Sequence, residues 1–164
     1  MRTVNYGLAF GAGVFGGLTL TVLLTLARLV GMTGMNLSMM MGAMFTQQFS
    51  VATWLLGFLV HLVVSGLIGI VYAWIFKLWG PANWWHGLVI AIPHTLIAGL
   101  FLLAVPAINP AVPELLPAPG FMGAAYGAPS VVGFIILHLV YGTLVGVIYH
   151  GKPVITREGR VIHA

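Results

Sequence analysis

The chain has 164 residues, of which 60% are hydrophobic and only 5% are charged, and it contains no cysteine. Soluble globular domains carry about 25% charged residues, so this composition excludes a soluble globular domain. The lack of cysteine excludes disulfides and thiolate chemistry. The formal net charge of +4 comes from very few residues, so it indicates membrane orientation and not a nucleic-acid partner. The lipid bilayer is therefore the first partner that the composition predicts.

Four apolar stretches predict four transmembrane helices within a single transmembrane domain that covers residues 1–164. Each is close to or longer than the ~20 residues that a spanning helix needs. The predicted spans are residues 7–29, 51–76, 85–105 and 131–149. The short break after Lys77 predicts that the second and third spans are antiparallel neighbours. The fold class is thus an all-α integral membrane protein.

The distribution of charge predicts the orientation of these spans. With four spans, both termini and the link after the second span lie on the same side of the membrane. That side carries five cationic residues, whereas the other carries Arg28 and the acidic Glu114. Cytoplasmic segments are enriched in Lys and Arg, so both termini are expected to be cytoplasmic. The five are Arg2, Lys77, Lys152, Arg157 and Arg160.

The two links on the other side differ in composition. Residues 31–50 are rich in methionine, and Asn36 is a candidate N-cap for a short interfacial helix. Residues 107–129 contain five prolines, which predicts a stiff, extended cover.

The second and fourth spans align without a gap at an offset of 77 residues, and the first and third align more weakly at an offset of 80. This predicts an internal duplication: two tandem helical hairpins, with repeat units at about residues 1–80 and 81–153, related by a pseudo-two-fold axis along the membrane normal. Small residues four apart allow close packing of helices in lipid. The predicted helix-packing residues are Gly13, Gly17, Ser65, Gly69, Gly142 and Gly146.

Three segments resemble a group of small four-span bacterial membrane proteins known only as a domain of unknown function. The segments are residues 31–39, 54–62 and 138–149. More distantly, Trp85 to Leu88 and the His138-Leu139-Val140 triplet are similar to the YagU-type inner-membrane proteins. The resemblance implies a bacterial inner (plasma) membrane and brings no catalytic residues.

Three histidines, His61, His94 and His138, lie near the predicted middle of their spans. One interpretation is a cofactor site, either bis-histidine haem b or a small metal site. Another is a site for a different small ligand, such as a quinone or a pigment. The favoured interpretation is structural: each neutral imidazole bonds to a carbonyl or to a hydroxyl such as Ser65, Thr95 or Thr143.

Methionines cluster on the side opposite the termini. Thioethers select Cu(I), which would suit a copper-handling surface facing the periplasm. Methionine is also a flexible apolar filler that suits a segment packed over helix ends. The candidate copper ligands are Met32, Met35, Met39, Met40, Met41 and Met44.

Catalytic motifs are missing from the sequence. It contains no P-loop, no G-x-S-x-G and no H-E-x-x-H, so it offers no support for a nucleotide partner or for hydrolysis. The favoured prediction is a non-enzymatic integral membrane subunit or accessory protein that packs against a larger membrane complex, for instance a respiratory one. The alternatives are a haem-carrying and a copper-handling membrane protein, and neither cofactor is favoured.

Overall fold

The computed structural model describes residues 4–150 and the short strands at residues 154–155 and 161–162. Four of its helices are long and apolar enough to cross a membrane, which confirms the predicted all-α, multi-pass class. Four of the five cations that predict the orientation, Arg2, Lys152, Arg157 and Arg160, lie outside the described residues. The helices are α1 (Tyr6–Leu29), α2 (Leu37–Thr46), α3 (Val51–Trp79), α4 (Trp84–Ile108) and α5 (Ala128–His150), with a 3-10 helix at Phe121–Tyr126.

Polar side chains set the starts of the first four helices. Asn5, Asn36, Ser50 and Asn83 each accept a hydrogen bond from a backbone N–H three residues further on. Such caps satisfy one of the free N–H groups of the first turn. The Asn36 cap confirms the short helix predicted after that residue. Near the C-terminus, β1 (Val154–Ile155) pairs antiparallel with β2 (Val161–Ile162).

The spans pack as two hairpins, α1 with α3 and α4 with α5, and α1 joins the hairpins by packing on α5. The second and third spans are antiparallel and adjacent in the chain, as predicted, but they are not close packing partners, because α3 and α4 touch at only a few positions. The link of residues 80–83 keeps the end of α3 close to the start of α4, but it does not make the two helices pack along their lengths. A short turn therefore sets the direction of two helices but not their packing partners.

Small residues bring the helices of each hairpin into close contact. A Cβ atom added at Gly13 would lie 3.0 Å from the Cα of Gly69, and one added at Gly87 would lie 3.2 Å from the Cα of Gly146. Contacts this close leave no space for a side chain at Gly13 or at Gly87. All six predicted packing residues lie at helix–helix contacts: Gly13, Gly17, Ser65, Gly69, Gly142 and Gly146.

The two hairpins use the same contact pattern. Gly17 faces Ser65 in the first hairpin, and Ala91 faces Gly142 in the second. Together with the glycine pairs, these contacts relate α1 to α4 by an offset of 74 residues. The predicted offset of 80 aligned identical residues of the first and third spans, but these residues do not make equivalent contacts. The shared pattern supports the predicted duplication, which stays a prediction.

The prolines of the link between α4 and α5 predicted an extended segment, but the link is folded. Asn109 is buried; its side-chain amide donates to the Met40 carbonyl at 2.9 Å, and its oxygen accepts from the Ala111 N–H at 3.0 Å. Ala111 and Val112 then pack with Met40 in an apolar core. We call the end of the bundle that carries α2 and the 3-10 helix the loop end, and the opposite end, with residues 80–83, the terminal end.

Candidate functional site

The three predicted histidines lie in the middle of the bundle, and each is bonded through Nδ1. His61 on α3 is nine-tenths buried and lies 3.0 Å from the hydroxyl of Thr21 on α1. That hydroxyl also lies 3.0 Å from the Gly17 carbonyl. In a neutral imidazole one nitrogen donates and the other accepts. When the Thr21 hydroxyl donates to this carbonyl, it accepts from the His61 Nδ1–H, and the Nε2 of His61 is then an acceptor.

His138 on α5 reaches the same tautomer by another route. Its Nδ1 donates to the carbonyl of Phe134, one turn earlier on its own helix, at 2.8 Å. Its Nε2 is therefore also an acceptor. No hydrogen bond to the Nε2 of His61 or of His138 occurs among the described residues.

His94 on α4 joins an aromatic group at the centre of the bundle. Its Nδ1 lies 3.1 Å from the hydroxyl of Tyr72. Its ring packs edge-to-face on His138, with centroids 5.1 Å apart, and on Tyr141 at 5.4 Å. The Tyr141 hydroxyl donates to the Ser65 carbonyl at 2.5 Å. These contacts connect α3, α4 and α5.

The imidazoles lie next to a carbonyl and to hydroxyls, as the structural interpretation expects, but the hydroxyls are not the ones named from the sequence. Within the described part of the chain, no imidazole bonds to Ser65, Thr95 or Thr143. Thr95 instead donates to the Ala91 carbonyl at 2.6 Å. The sequence could not identify Thr21 as a partner, because the rotation of α1 about its axis depends on packing across the whole bundle.

A cavity of about 70 Å³ lies between α1, α3 and α5 and reaches from the loop end to His61 and His138. Its walls are mainly apolar. At the loop end, the Ser130 hydroxyl donates to the Thr33 hydroxyl at 2.5 Å and so ties α5 to the link after α1. The polar side chains that line the cavity include Thr21, Thr25, Arg28, His61, Ser130 and His138.

Arg28 is the residue in this lining that the sequence did not single out as a site. It is half-buried, and its fully buried Nε has no hydrogen-bond partner among the described residues. Burial raises the pKa of the Tyr126 phenol, and the nearby positive charge of Arg28 opposes that rise.

The geometry does not fit the alternative interpretation of a haem site. Cavities that hold a ligand of drug size have volumes of ~300 Å³ or more, several times the space beside His61 and His138. His94 and His138 touch directly, which leaves no gap for a porphyrin between them. No group of three or more potential ligands among His, Cys, Asp and Glu could hold a metal in the described part of the chain.

The methionines predicted as copper ligands do not form one surface. Met35 and Met40 are buried in an apolar core at the loop end, and Met39 packs against it. Met32 is half-exposed, and Met41 and Met44 are partly buried outside that core. This arrangement favours the apolar-filler interpretation.

No family model, curated protein or solved structure matches this chain. The resemblance to small four-span bacterial proteins therefore stays a prediction. The function has to be argued from the geometry of the chain itself.

Proposed function

We propose that the chain is a non-enzymatic integral subunit or accessory protein of a larger complex in the bacterial inner membrane. The observation that supports it is an open small-residue face on α1. Helix association in lipid depends on close backbone approach at small residues, and paired glycines four apart are its best-known motif. A chain with such a face is suited to binding another transmembrane helix.

Gly7 and Gly11 form this open face. A Cβ added at Gly11 would meet no atom within 4 Å, and one added at Gly7 would meet only the side chain of its neighbour Asn5, at 3.8 Å. The packing glycines Gly13, Gly69 and Gly142, by contrast, face the backbone of a neighbouring helix. Further along α1 the face continues with exposed Phe15 and Leu18. We call Gly7, Gly11, Phe15 and Leu18 the α1 face.

The terminal end of the bundle has the features of a membrane–water interface. Trp79, Trp84 and Trp85 are all more than half exposed there, and tryptophan is enriched where a helix leaves the lipid. Lys77 lies over the Trp74 ring, 4.9 Å from its centroid. The tryptophans indicate a membrane interface, and the excess of Lys and Arg on this side in the sequence supports cytoplasmic termini, with the loop end facing the periplasm.

Photo-crosslinking from the α1 face tests the proposal. A photoreactive amino acid at position 11 should crosslink to another protein in native membranes. The mass of the adduct should differ clearly from the mass of two copies of this chain. The same probe at Ala104, an exposed small residue on α4, is the matched control and should give no protein adduct.

Substitution then links the adduct to packing. Gly11→Leu should abolish co-purification of the crosslinked partner, and Ala104→Leu should leave it intact. An adduct of two copies of this chain would overturn the accessory role in favour of a homodimer. No protein adduct at position 11 in native membranes would overturn the proposal itself.

A further inference from the structure

The cavity between α1, α3 and α5 has a hydrogen-bond acceptor at its inner end. His138 lines the cavity, and its Nδ1 donates to the Phe134 carbonyl at 2.8 Å. A charged side chain is costly in the middle of a membrane, so this imidazole is neutral. The Nε2 of His138 therefore carries a lone pair and no proton.

This Nε2 is free to bond to a molecule in the cavity. It makes no hydrogen bond to the described residues. In the described part of the chain, the fully buried side-chain polar atom without a partner is the Nε of Arg28, so the Nε2 of His138 keeps accessible surface. His61 lines the same end, and its Nε2 is a second acceptor when the Thr21 hydroxyl donates to Gly17.

The lining of the cavity favours a neutral ligand. Among the described residues it includes no carboxylate, and the buried Nε of Arg28 has no surface from which to bind a molecule there. An ion that enters an apolar space without a charged partner loses far more hydration free energy than a neutral molecule does. The ligand that suits the cavity is therefore uncharged and carries one hydrogen-bond donor for the imidazole.

The size and walls of the cavity determine the rest of the ligand. One water-sized group needs about 10–15 Å³ of such space, so the cavity of about 70 Å³ holds only a few non-hydrogen atoms. Water has too few polar partners along the apolar walls to fill this space well, whereas a short hydrocarbon chain needs none. The apolar residues of the walls include Leu20, Leu24, Phe134 and Leu137.

The cavity is accessible from the loop end of the bundle. Thr25 and Met32 belong to its lining and are exposed. Thr25 lies one helical turn after Thr21, which contacts His61, and one turn is about 5 Å along the α1 axis. A short chain that enters beside Thr25 therefore has the length needed to reach the histidines.

We propose that this cavity binds a short-chain primary alcohol, with its hydroxyl donating to the Nε2 of His138 and its carbon chain against the apolar walls. The hydroxyl satisfies an acceptor that the described residues leave without a partner. 1-Butanol has the size and the single donor that the cavity requires. The site is inside the bundle, so it is independent of the α1 face and of the proposed subunit role.

Thermal unfolding of the purified full chain in detergent tests the proposal with 1-butanol and its isomer methyl propyl ether. The two molecules contain the same atoms, but the ether has no O–H donor. A ligand that binds only the folded chain raises the unfolding midpoint. 1-Butanol should raise it saturably and should bind about two- to tenfold more tightly than the ether, the range that one hydrogen bond supplies.

Gly133→Leu is the control for effects of the alcohol on the detergent. Gly133 lines the cavity, and a Cβ added there meets nothing within 4 Å, so a leucine can occupy the space without displacing neighbours. This variant should fold as the wild type does and should lose the saturable rise. Ala104→Leu adds the same side chain at an exposed position of α4 and should keep the rise.

His138→Phe tests the hydrogen bond, because it removes the acceptor and keeps an aromatic ring of similar size. The folded variant should bind 1-butanol and methyl propyl ether with equal affinity. Nitrogen-15 NMR of the histidine-labelled wild type measures the same bond without a substitution, since accepting a hydrogen bond changes the shift of Nε2. 1-Butanol should shift the His138 Nε2 resonance, and the ether should leave it in place.

Four outcomes would overturn the inference. These are no saturable stabilisation of the wild type beyond that of Gly133→Leu, equal affinity of the wild type for 1-butanol and its isomer, no change in the His138 Nε2 resonance, and a preference for 1-butanol that persists in a folded His138→Phe. Tighter binding of butyrate than of 1-butanol would also overturn it, because that result would require a charged partner in the cavity.

Discussion

The two hairpins share their backbone packing and differ in the chemistry placed on it. In the first, His61 on α3 bonds across to Thr21 on α1. At the equivalent place in the second, His138 on α5 bonds within its own helix to Phe134. Thr95, the counterpart of Thr21 at the offset of 74, bonds only to its own helix.

We expect one replacement to contribute most to this difference. His94 occupies the place in α4 that Leu20 occupies in α1, and its ring contacts His138. The imidazole pair therefore competes with the cross-helix bond that the first hairpin makes. Close glycine contacts fix the backbone, so polar side chains can change without changing the fold.

The cavity is the larger departure from symmetry. Thr25 and Arg28 line it on α1, and their counterparts on α4 are Gly99 and Leu102. Met122 from the 3-10 helix covers Gly99, and Leu102 is buried in an apolar core. The space is thus filled in one hairpin and left open, with a cation, in the other. Since packing alone would favour filling both, the open side is the better candidate for binding.

The largest effect on stability is expected at the close glycine contacts that the two hairpins share. Gly13→Leu and Gly87→Leu each force a side chain against facing backbone, at Ser65 and Gly142 respectively. Each should lower the free energy of unfolding by about 3 kcal/mol or more, the upper range for overpacking. Thermal unfolding in detergent, with Ala104→Leu as the lipid-facing control, measures this. Tolerance of Leu at only one of the two glycines would show that the hairpins are not equivalent.

Arg28→Leu makes the first hairpin resemble the second at the cavity. Arg28 is half-buried, and its Nε has no partner among the described residues; replacing such a poorly satisfied group by an apolar side chain is often stabilising. We expect a gain of about 1 kcal/mol in the free energy of unfolding. A variant that is destabilised would show that Arg28 already has a stabilising role in the empty chain.

The two threonines test the cross-helix bond. Thr21→Val leaves the buried Nδ1–H of His61 without an acceptor and should cost about 1 kcal/mol. Thr95→Val removes only a bond within α4 and should cost less than half as much. The difference in unfolding midpoint between the two variants is the measurement, and equal losses would argue against the assigned partners.

The smallest effect on stability is expected at His138, where contact with His94 competes with a hydrogen bond to Thr95. His94→Leu places in α4 the residue found in α1, and it should allow His138 to bond to Thr95. A double-mutant cycle of His138→Phe and Thr95→Val in the His94→Leu background should then show a coupling of about 0.6 kcal/mol, typical of bonds between helices in membranes. The same cycle with His94 present should show none.

Local signals allowed the spans to be predicted, but contacts between distant residues were not predictable. The apolar runs and the Asn36 cap depend only on neighbouring residues, so helix bounds agree within a few positions. The Asn109 bond to Met40 joins residues 69 apart in the chain, and without it the proline-rich link reads as extended.

The candidate site was found only in part for the same reason. Histidines in apolar spans stand out from their composition, so His61, His94 and His138 were identified. Arg28 was interpreted as the end of a span, because its place in the cavity lining depends on residues of α3 and α5 that line the same space. Its equivalence to Leu102 emerges only from the contact-based offset of 74.

Site-directed labelling tests most directly the central claim, that two hairpins stand side by side in one orientation with their loops outside. The chain has no cysteine, so single substitutions report unambiguously. Gln48→Cys and Leu115→Cys lie in exposed positions at the loop end, and Pro81→Cys lies at the terminal end. A membrane-impermeant maleimide should label positions 48 and 115 in intact spheroplasts and position 81 only after permeabilisation. Labelling of positions 48 and 115 from opposite sides of the membrane would contradict the account.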